Sequence, residues 1–513
     1  MIWLIAKKDF LLNLLSVRFV IGFVLCLIII PFTIIVSVDD YQNQVRVYQI
    51  EQQKADEGMK KTRVWSNLRP TIVTKPAPLS IFSNGMMNNV GNKVRIFFDS
   101  YPLFPTGHAN TRDNPLLNVF FSIDFSKVVA ILISLIALVF AYDSITRERE
   151  DGTMKLSLTG QVSRISFLFG KLTGLLLTLL PILLFCYLLA CLIIVVKPDI
   201  SFSATDWGGV VLLFFSSMVY MLVFILLGMF ISCMVKSSSS SIIVSLLCWI
   251  WFLFLMPNIS TYLSQSIAKT PLYDNVQSNM NDYDKELLNE YSAIWMRTMK
   301  EMNMEYISHH NNSDGEDWGR QISGGMRITP LFYLRFYPEF MPLVLTNSDK
   351  KWALQRDYLD KLQKQQRLQQ GIASLSPSEI FRQITEILCA TNSANFLKYM
   401  EHTRNYRETF IRYFTDNKLF ASSLYFTPQP IDEYPTEEEL AQLKDEDERN
   451  ARRNKGFSMY PYLDTGNVPL YHPQPVSLSG AFGEALGRLA ILIGLIIVLL
   501  LGMIVSFMKY DVR

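Results

Sequence analysis

Six runs of this sequence are uncharged or nearly so, at roughly 19–38, 122–142, 172–196, 208–235, 237–257 and 489–508, and most are 20 residues or longer. At 1.5 Å of rise per residue, such a helix crosses about 30 Å of hydrocarbon. Buried helices of a large soluble core are the alternative, but a soluble core does not need six such runs. The sequence therefore predicts an α-helical membrane protein with six transmembrane helices. Only 18% of its residues are charged, and the deficit is confined to these runs. The second run is the weakest: its uncharged part, Val128–Tyr142, is short and borrows Val119–Phe125, with Asp124 and Lys127 at its rim.

Lys and Arg in the short loops set the orientation. Lys7, Lys8 and Arg18 precede the first span, Arg147, Arg149, Lys155, Arg164 and Lys171 follow the second, Lys236 follows the fourth, and Lys509 and Arg513 end the chain. In the loop 197–207, Lys197 is opposed by Asp199 and Asp206. Both termini are expected in the cytoplasm, on the bacterial inner-membrane pattern. The expected order is an interfacial elbow helix over 1–17, spans at 18–38 and 122–142, a cytoplasmic loop at 143–171, spans at 172–196, 208–235, 237–257 and 489–508, and a tail at 509–513. Segments 39–121 and 258–488 then form an extracytoplasmic domain. In the elbow, Asp9, Asn13 and Ser16 share one face, while Trp3, Phe10, Leu11 and Leu14 supply apolar surface. A plain extension of the first span is the competing reading.

The first extracytoplasmic segment opens with a predicted helix over 40–65 and then breaks at Pro70, Pro76, Pro78, Pro102 and Pro105. The second is mostly helical. Leu288, Tyr291, Trp295, Met299, Met302 and Tyr306 step by three or four, and Leu354, Tyr358 and Leu362 repeat this in a helix ending near Gly371. Ser376-Pro-Ser-Glu379 predicts a further helix start: serine caps, proline takes the first position and glutamate reaches back. The proline-rich stretch 418–475 predicts loops, one short helix and a few strands.

No enzyme chemistry is legible. Gly170-Lys171-Leu-Thr173 has Ile165 and Leu172 where a phosphate loop needs Gly and Ser or Thr, so no ATP site is expected in this chain. His309-His310 beside Asp314 and Asp317 read as an exposed polar loop without a metal, and Met280, Met296, Met299, Met302 and Met304 as packing without copper. No cofactor is expected, and a net charge of +2 implies no nucleic-acid partner. The spans carry almost no charge, because Asp124, Lys127, Glu484 and Arg488 sit at their rims, which argues against a carrier driven by ions.

The stretch Ile145-Thr-Arg-Glu-Arg-Glu-Asp-Gly-Thr-Met-Lys155 places six charges between two apolar runs. Charges of both signs on a short helix suit the docking of a partner. A solvated loop that only enforces topology is the alternative. Gly152 permits a turn, Thr153 suits the cap of a following helix, and Arg164 is expected to face water or lipid headgroups.

Asp143 to Thr159, then Val162-Ser-Arg164 and Gly170-Lys171, resemble the signature of ABC-2 type permeases, the membrane subunits of type V ABC exporters. There a Glu-x-Glu-x-Gly-Thr-like element follows the second span, matched here by Glu148, Glu150, Gly152 and Thr153, with Asp151 as an added acid. Leu375-Ser-Pro377, Asn395-Phe396, Tyr406-Arg407 and Tyr510-Asp-Val-Arg513 resemble a subgroup with a large extracytoplasmic insertion. The resemblance implies a separate cytoplasmic ATPase that binds ATP and Mg and docks on 143–171, with Arg147, Glu148, Glu150, Asp151, Gly152, Thr153 and Arg164 as coupling residues. It also implies a second permease protomer, and export of an unidentified substrate with lipid or an envelope or periplasmic protein as further contacts. A non-transporting scaffold that passes mechanical signals to an envelope machine is the competing class.

Overall fold

The computed structural model describes residues 1–85, 93–99, 124–154, 163–197, 200–304, 306–308, 320–322, 328–453, 460–473 and 477–509. Helix α1 (Ile2–Leu14) stops at Leu15, and Ser16 starts α2 (Val17–Lys60) by accepting the amide of Phe19. The elbow is thus a separate helix rather than an extension of the first span. The expected helix over 40–65 is not separate, because α2 runs unbroken for 44 residues. Polar Gln, Glu and Lys are good helix formers, and nothing between Val38 and Gly58 interrupts the backbone.

Asp124 starts α3 (Phe125–Ala141) by accepting the amide of Lys127. A short helix, α4 (Thr146–Glu150), follows. Next come α5 (Arg164–Val196) and α6 (Ala204–Met234), the latter closed at its start by Ser203 and Asp206, each bonding the other's backbone amide. Helix α7 (Ser238–Ile250) passes through one π turn at Trp251–Leu255 into α8 (Met256–Ile267). With the last helix, described below, six helical stretches among the described residues are long and apolar enough to cross a membrane. The third starts at Arg164, well before the apolar run at Leu172, because its leading charges are paired or cap another helix.

Within the apolar windows, 61% of the second and fourth stretches is buried but only 11% of the fifth and sixth. So α3 and α6 are central. On α7, the π turn and α8, Leu247, Trp251, Phe254 and Tyr262 are left exposed.

The polar domain is built on α9 (Tyr273–Glu301) and α10 (Ile328–Ala373), which lie side by side. Trp295 meets Phe332 and Phe336 between them, with ring centroids at 4.6 and 5.4 Å. Asp284 of α9 pairs with Lys351 of α10 at 2.7 Å. Two small antiparallel ladders join β1 (Thr71–Val73) to β2 (Lys93–Arg95) and β3 (Tyr306–Ser308) to β4 (Arg320–Ile322). Then follow α11 (Pro377–Leu388), α12 (Ser393–Asp416), α13 (Glu437–Gln442), α14 (Glu446–Arg453) and α15 (Leu478–Met508). The fully buried Arg407 of α12 donates to the carbonyls of Phe97 and Phe98 and to Ser348 of α10, so this one side chain joins three segments. The described part of 418–475 holds short 3-10 turns and two short helices but no strand. The expected strands find no pairing there. Leu288 is exposed, so the predicted apolar face of α9 begins further along, at Tyr291. His309-His310 and their aspartates lie outside the described residues.

Helix α11, within the segment expected outside the membrane, packs its Ile380, Phe381, Ile384 and Leu388 into the same core as α3, α6 and α15. Phe381 stacks on Tyr220 of α6 with centroids 4.5 Å apart. The helix does begin with Ser376 ahead of Pro377, but the reciprocal cap does not form. Ser376 and Ser378 instead donate to the carbonyl of Phe252 at 2.6 and 2.7 Å, and Glu379 pairs with Arg382. Phe252 lies in the π turn, where backbone carbonyls lose their ordinary α-helical partners. A local cap was legible; a distant acceptor that outcompetes it was not.

Candidate functional site

The charged stretch folds as a junction. Its helix α4 has five residues and no side-chain cap of its own. A helix this short is not stable by propensity, so its surroundings hold it. Ser232, near the end of α6, accepts the amides of both Ile145 and Thr146 at 3.1 Å. Asp143, one turn earlier, binds Arg18 at the start of α2 at 2.7 Å, and the same guanidinium lies over the Tyr142 ring.

From this seat each charged side chain leads to a different helix. Glu148 accepts from Lys171 of α5, whose ammonium also lies 3.1 Å from Asp9 of α1. Lys171 is 7% exposed at its side chain, with Asp9 at 12% and Glu148 at 14%, so three charges meet nearly out of water. Lys8 adds a longer contact to Glu148 at 4.0 Å. Burial pushes the Asp9 carboxyl above its ordinary range, and the nearby Lys171 only partly opposes this.

Close backbone packing makes that meeting possible. A Cβ at Gly170 would lie 2.8 Å from the Ile5 side chain, and one at Gly174 would lie 3.0 Å from the Cβ of Asp9. The pair spaced by four lets α1 lie directly on α5. The polar face of α1 thus carries Asp9 toward protein.

Arg149 donates to the carbonyls of Val235, at 2.9 Å, and Cys233 at the end of α6, where helix carbonyls lack partners and the dipole favours a cation. Glu150 accepts from the backbone amide of Ser238 at 2.8 Å and from its hydroxyl at 2.7 Å, at the start of α7. Ser241, one turn on, donates to the Tyr142 carbonyl at 2.6 Å.

Gly152 takes φ +71°, the left-handed conformation that ends the helix, and no neighbour lies within 4 Å of where its Cβ would be. Thr153 returns to the carbonyl of Glu148 at 3.3 Å; any role in capping a following helix involves residues 155–162, which lie outside the described ones. Arg147 and Asp151 stay exposed and face each other at 3.9 Å. Arg164, expected to face water or headgroups, donates to the carbonyl of Met508 at 2.8 Å and closes the end of α15.

The structure therefore brings Glu148, Arg149 and Glu150 into bonds within the chain and leaves Arg147, Asp151, Gly152 and Thr153 facing outward. Between them, Asp143 and α4, which follow directly on α3, and Arg164 touch α1 and the five other membrane stretches. Sequence reasoning did not single out Asp9, Arg18, Asp143 or Ser238 as members of the junction, and read Lys171 as a topology charge and motif residue. The signal for Lys171 was its place between Gly170 and Gly174, where a lysine on a close-packed face needs an anion.

These residues belong to a larger pattern. The description of the ABC-2 family transporter proteins matches residues 3–512, nearly the whole chain. No curated protein matches it. A match of that extent, over a six-span helical fold with the charged junction after the second span, identifies the chain as a member of the ABC-2 transporter family.

Proposed function

We propose that this chain is a permease whose junction at 143–171 receives the motion of a separate cytoplasmic ATPase and passes it to the membrane helices for export of a substrate. The observation that supports this reading is the junction itself: one exposed turn, Arg147 to Thr153, is tied behind its face to α5, α6 and α7, with a longer ion pair to Lys8 of α1. A displacement there cannot stay local, because packed helices shift as units rather than deform smoothly. Two protomers, each with its own ATPase, suit the exposed faces of α7, α8 and α15. The termini and the junction lie in the cytoplasm on the Lys/Arg asymmetry of the loops, and the polar domain lies outside.

A tagged chain purified from its native membrane in mild detergent is expected to bring an ATPase polypeptide with it, and hydrolysis should follow that polypeptide. The chain stripped of partners should hydrolyse no ATP, since it carries no phosphate loop. Robust hydrolysis by the chain alone would sink the reading. Cysteines at Asp151 and Ser308, in a background without native cysteines, check the sidedness: an impermeant reagent on intact cells should label only the second.

A second reading, transmission of force to an envelope machine without transport, draws on α11. This helix seats the polar domain among the membrane helices through Phe381 and Tyr220, so the two parts are mechanically joined. An open apolar path between protomers favours export, and a sealed interface favours transmission.

A further inference from the structure

The fifth membrane stretch, α7 and α8, is one of the two least buried in the bundle: its apolar window is 11% buried, as is that of α15. Hydrogen bonds join it to its neighbours at several points. Trp249 donates to Ser134 of α3 at 2.9 Å, and the Phe252 carbonyl receives Ser376 and Ser378. The densest ties are at its start. Ser238 gives both its amide and its hydroxyl to Glu150, the hydroxyl lies 3.1 Å from Thr146, and Ser241 binds the Tyr142 carbonyl.

We infer that Glu150 is a positioning residue that couples the junction to the fifth span: when α4 moves, its carboxylate carries the start of α7 with it. The inference rests on the reading of the chain as an ATPase-driven permease. The chemistry suits a tether. Ser238 is the first residue of α7, so its amide is one that the helix cannot satisfy itself, and a carboxylate there also meets the positive end of the helix dipole. Bonds to an ionised acceptor are roughly twice as strong as neutral ones. Both oxygens of Glu150 are used on Ser238, which leaves Arg147, Asp151, Gly152 and Thr153 to meet the partner. Glu148 is committed in the same way to Lys171. One acid thus joins the junction to α5, and the other joins it to α7.

The test separates a tether from a mere helix cap. Glu150→Ala removes the acceptor. Ser238→Pro removes both donors yet keeps a good helix start, because proline suits the first helical position and Ser237 before it is already extended. Either change weakens the tie by roughly tenfold or more. Reporters are single cysteines at Ser144, half-buried just before α4 and outside the face left to the partner, and at Ser239, exposed at the start of α7, in a chain without native cysteines. Maleimide labelling rates are measured in inverted native membrane vesicles, nucleotide-free and with Mg-ATP plus vanadate. In the otherwise unaltered chain both reporters should change rate. With Glu150→Ala or Ser238→Pro, Ser144→Cys should still respond, which shows a folded and driven protein, while Ser239→Cys should not. A cap alone predicts that Ser238→Pro keeps both responses. Persistence at Ser239→Cys in both variants, or its absence from the unaltered chain while Ser144→Cys responds, overturns the inference. Silence at Ser144→Cys in the unaltered chain would instead overturn the ATPase-driven reading beneath it.

Discussion

Lys171 sets its ammonium group 3.1 Å from the carboxylate of Asp9, across 162 residues of chain, and shares it with Glu148. One buried cation thus serves two anions, and the two anions should not be equally costly to lose. Removing one partner of a buried pair costs about 3–5 kcal/mol when it strands a charge. Lys171→Ala strands both carboxylates and should lower the apparent melting temperature of the detergent-solubilised protein sharply. Asp9→Asn leaves the Lys171–Glu148 pair intact and removes the group that burial already disfavours as an anion, so it should stay within about 1 kcal/mol of wild type. Equal damage from the two changes would contradict this order.

The seat of α1 depends on the absence of two side chains. A Cβ at Gly170 would come within 2.8 Å of Ile5, where something must shift. Gly170→Val should cost about 1–3 kcal/mol by overpacking and should loosen α1. Trp3 and Phe10 report it: a paramagnetic lipid or soluble quencher should reach a Trp3-only protein differently after the change. Gly152→Ala crowds no neighbour and tests something else, the left-handed turn itself; it should cost about 1 kcal/mol from backbone strain. No change in Gly170→Val would remove the packing account, and no change in Gly152→Ala would remove the account of the turn.

The bond between α11 and the π turn is divided between two hydroxyls. Ser376→Ala or Ser378→Ala alone should cost well under about 1.5 kcal/mol, because the other donor still serves Phe252. The double change leaves the carbonyl unserved and should cost more than the two singles added. A double-mutant cycle on thermal stability reads this directly; strict additivity would show that the two serines do not share an acceptor.

Glu386, in α11, faces Arg382 and Glu379 of its own helix and the charge of Asp124 ahead of α3. Burial raises its carboxyl above the ordinary 4.5, with Arg382 opposing. An acid raised in the folded state binds more protons there than in the unfolded chain, so its contribution is full below 4.5 and fades as pH rises through the folded value. The stability of wild type relative to Glu386→Gln should therefore grow as pH falls from about 7 toward 5. A difference that shrinks over that range would reverse the assignment.

Much of this architecture was legible because its signal is local. Runs without charge are long enough to cross a bilayer, and the helix start at Ser376-Pro377 is written within a few residues. The turn at Gly152 could likewise be read from a glycine after a charged helix. What could not be read is where the charges of Glu148, Arg149, Glu150 and Arg164 point. Exposure is the usual fate of such residues, and only folding brings Lys171, Val235, Ser238 and Met508 within reach of them. The same holds for α11. Its start at Ser376-Pro377 is written in the sequence, but nothing within 377–388 says whether the helix meets the polar domain or the membrane helices.

Helix α2 carries one further consequence. It crosses the apolar layer and continues into the polar domain without a break, where Lys93 binds Glu51 and the carbonyl of Thr62, just past its end, receives the amide of Leu463. The part beyond Val38 is roughly 30 Å long at 1.5 Å per residue. A lever of that length magnifies angle into distance. A tilt of about 5° at the membrane would sweep its far end by roughly 3 Å on the same 1.5 Å rise, about the length of a hydrogen bond. The polar domain could thus register, as a sideways step, a rotation of the first span too small to open any path through the bilayer.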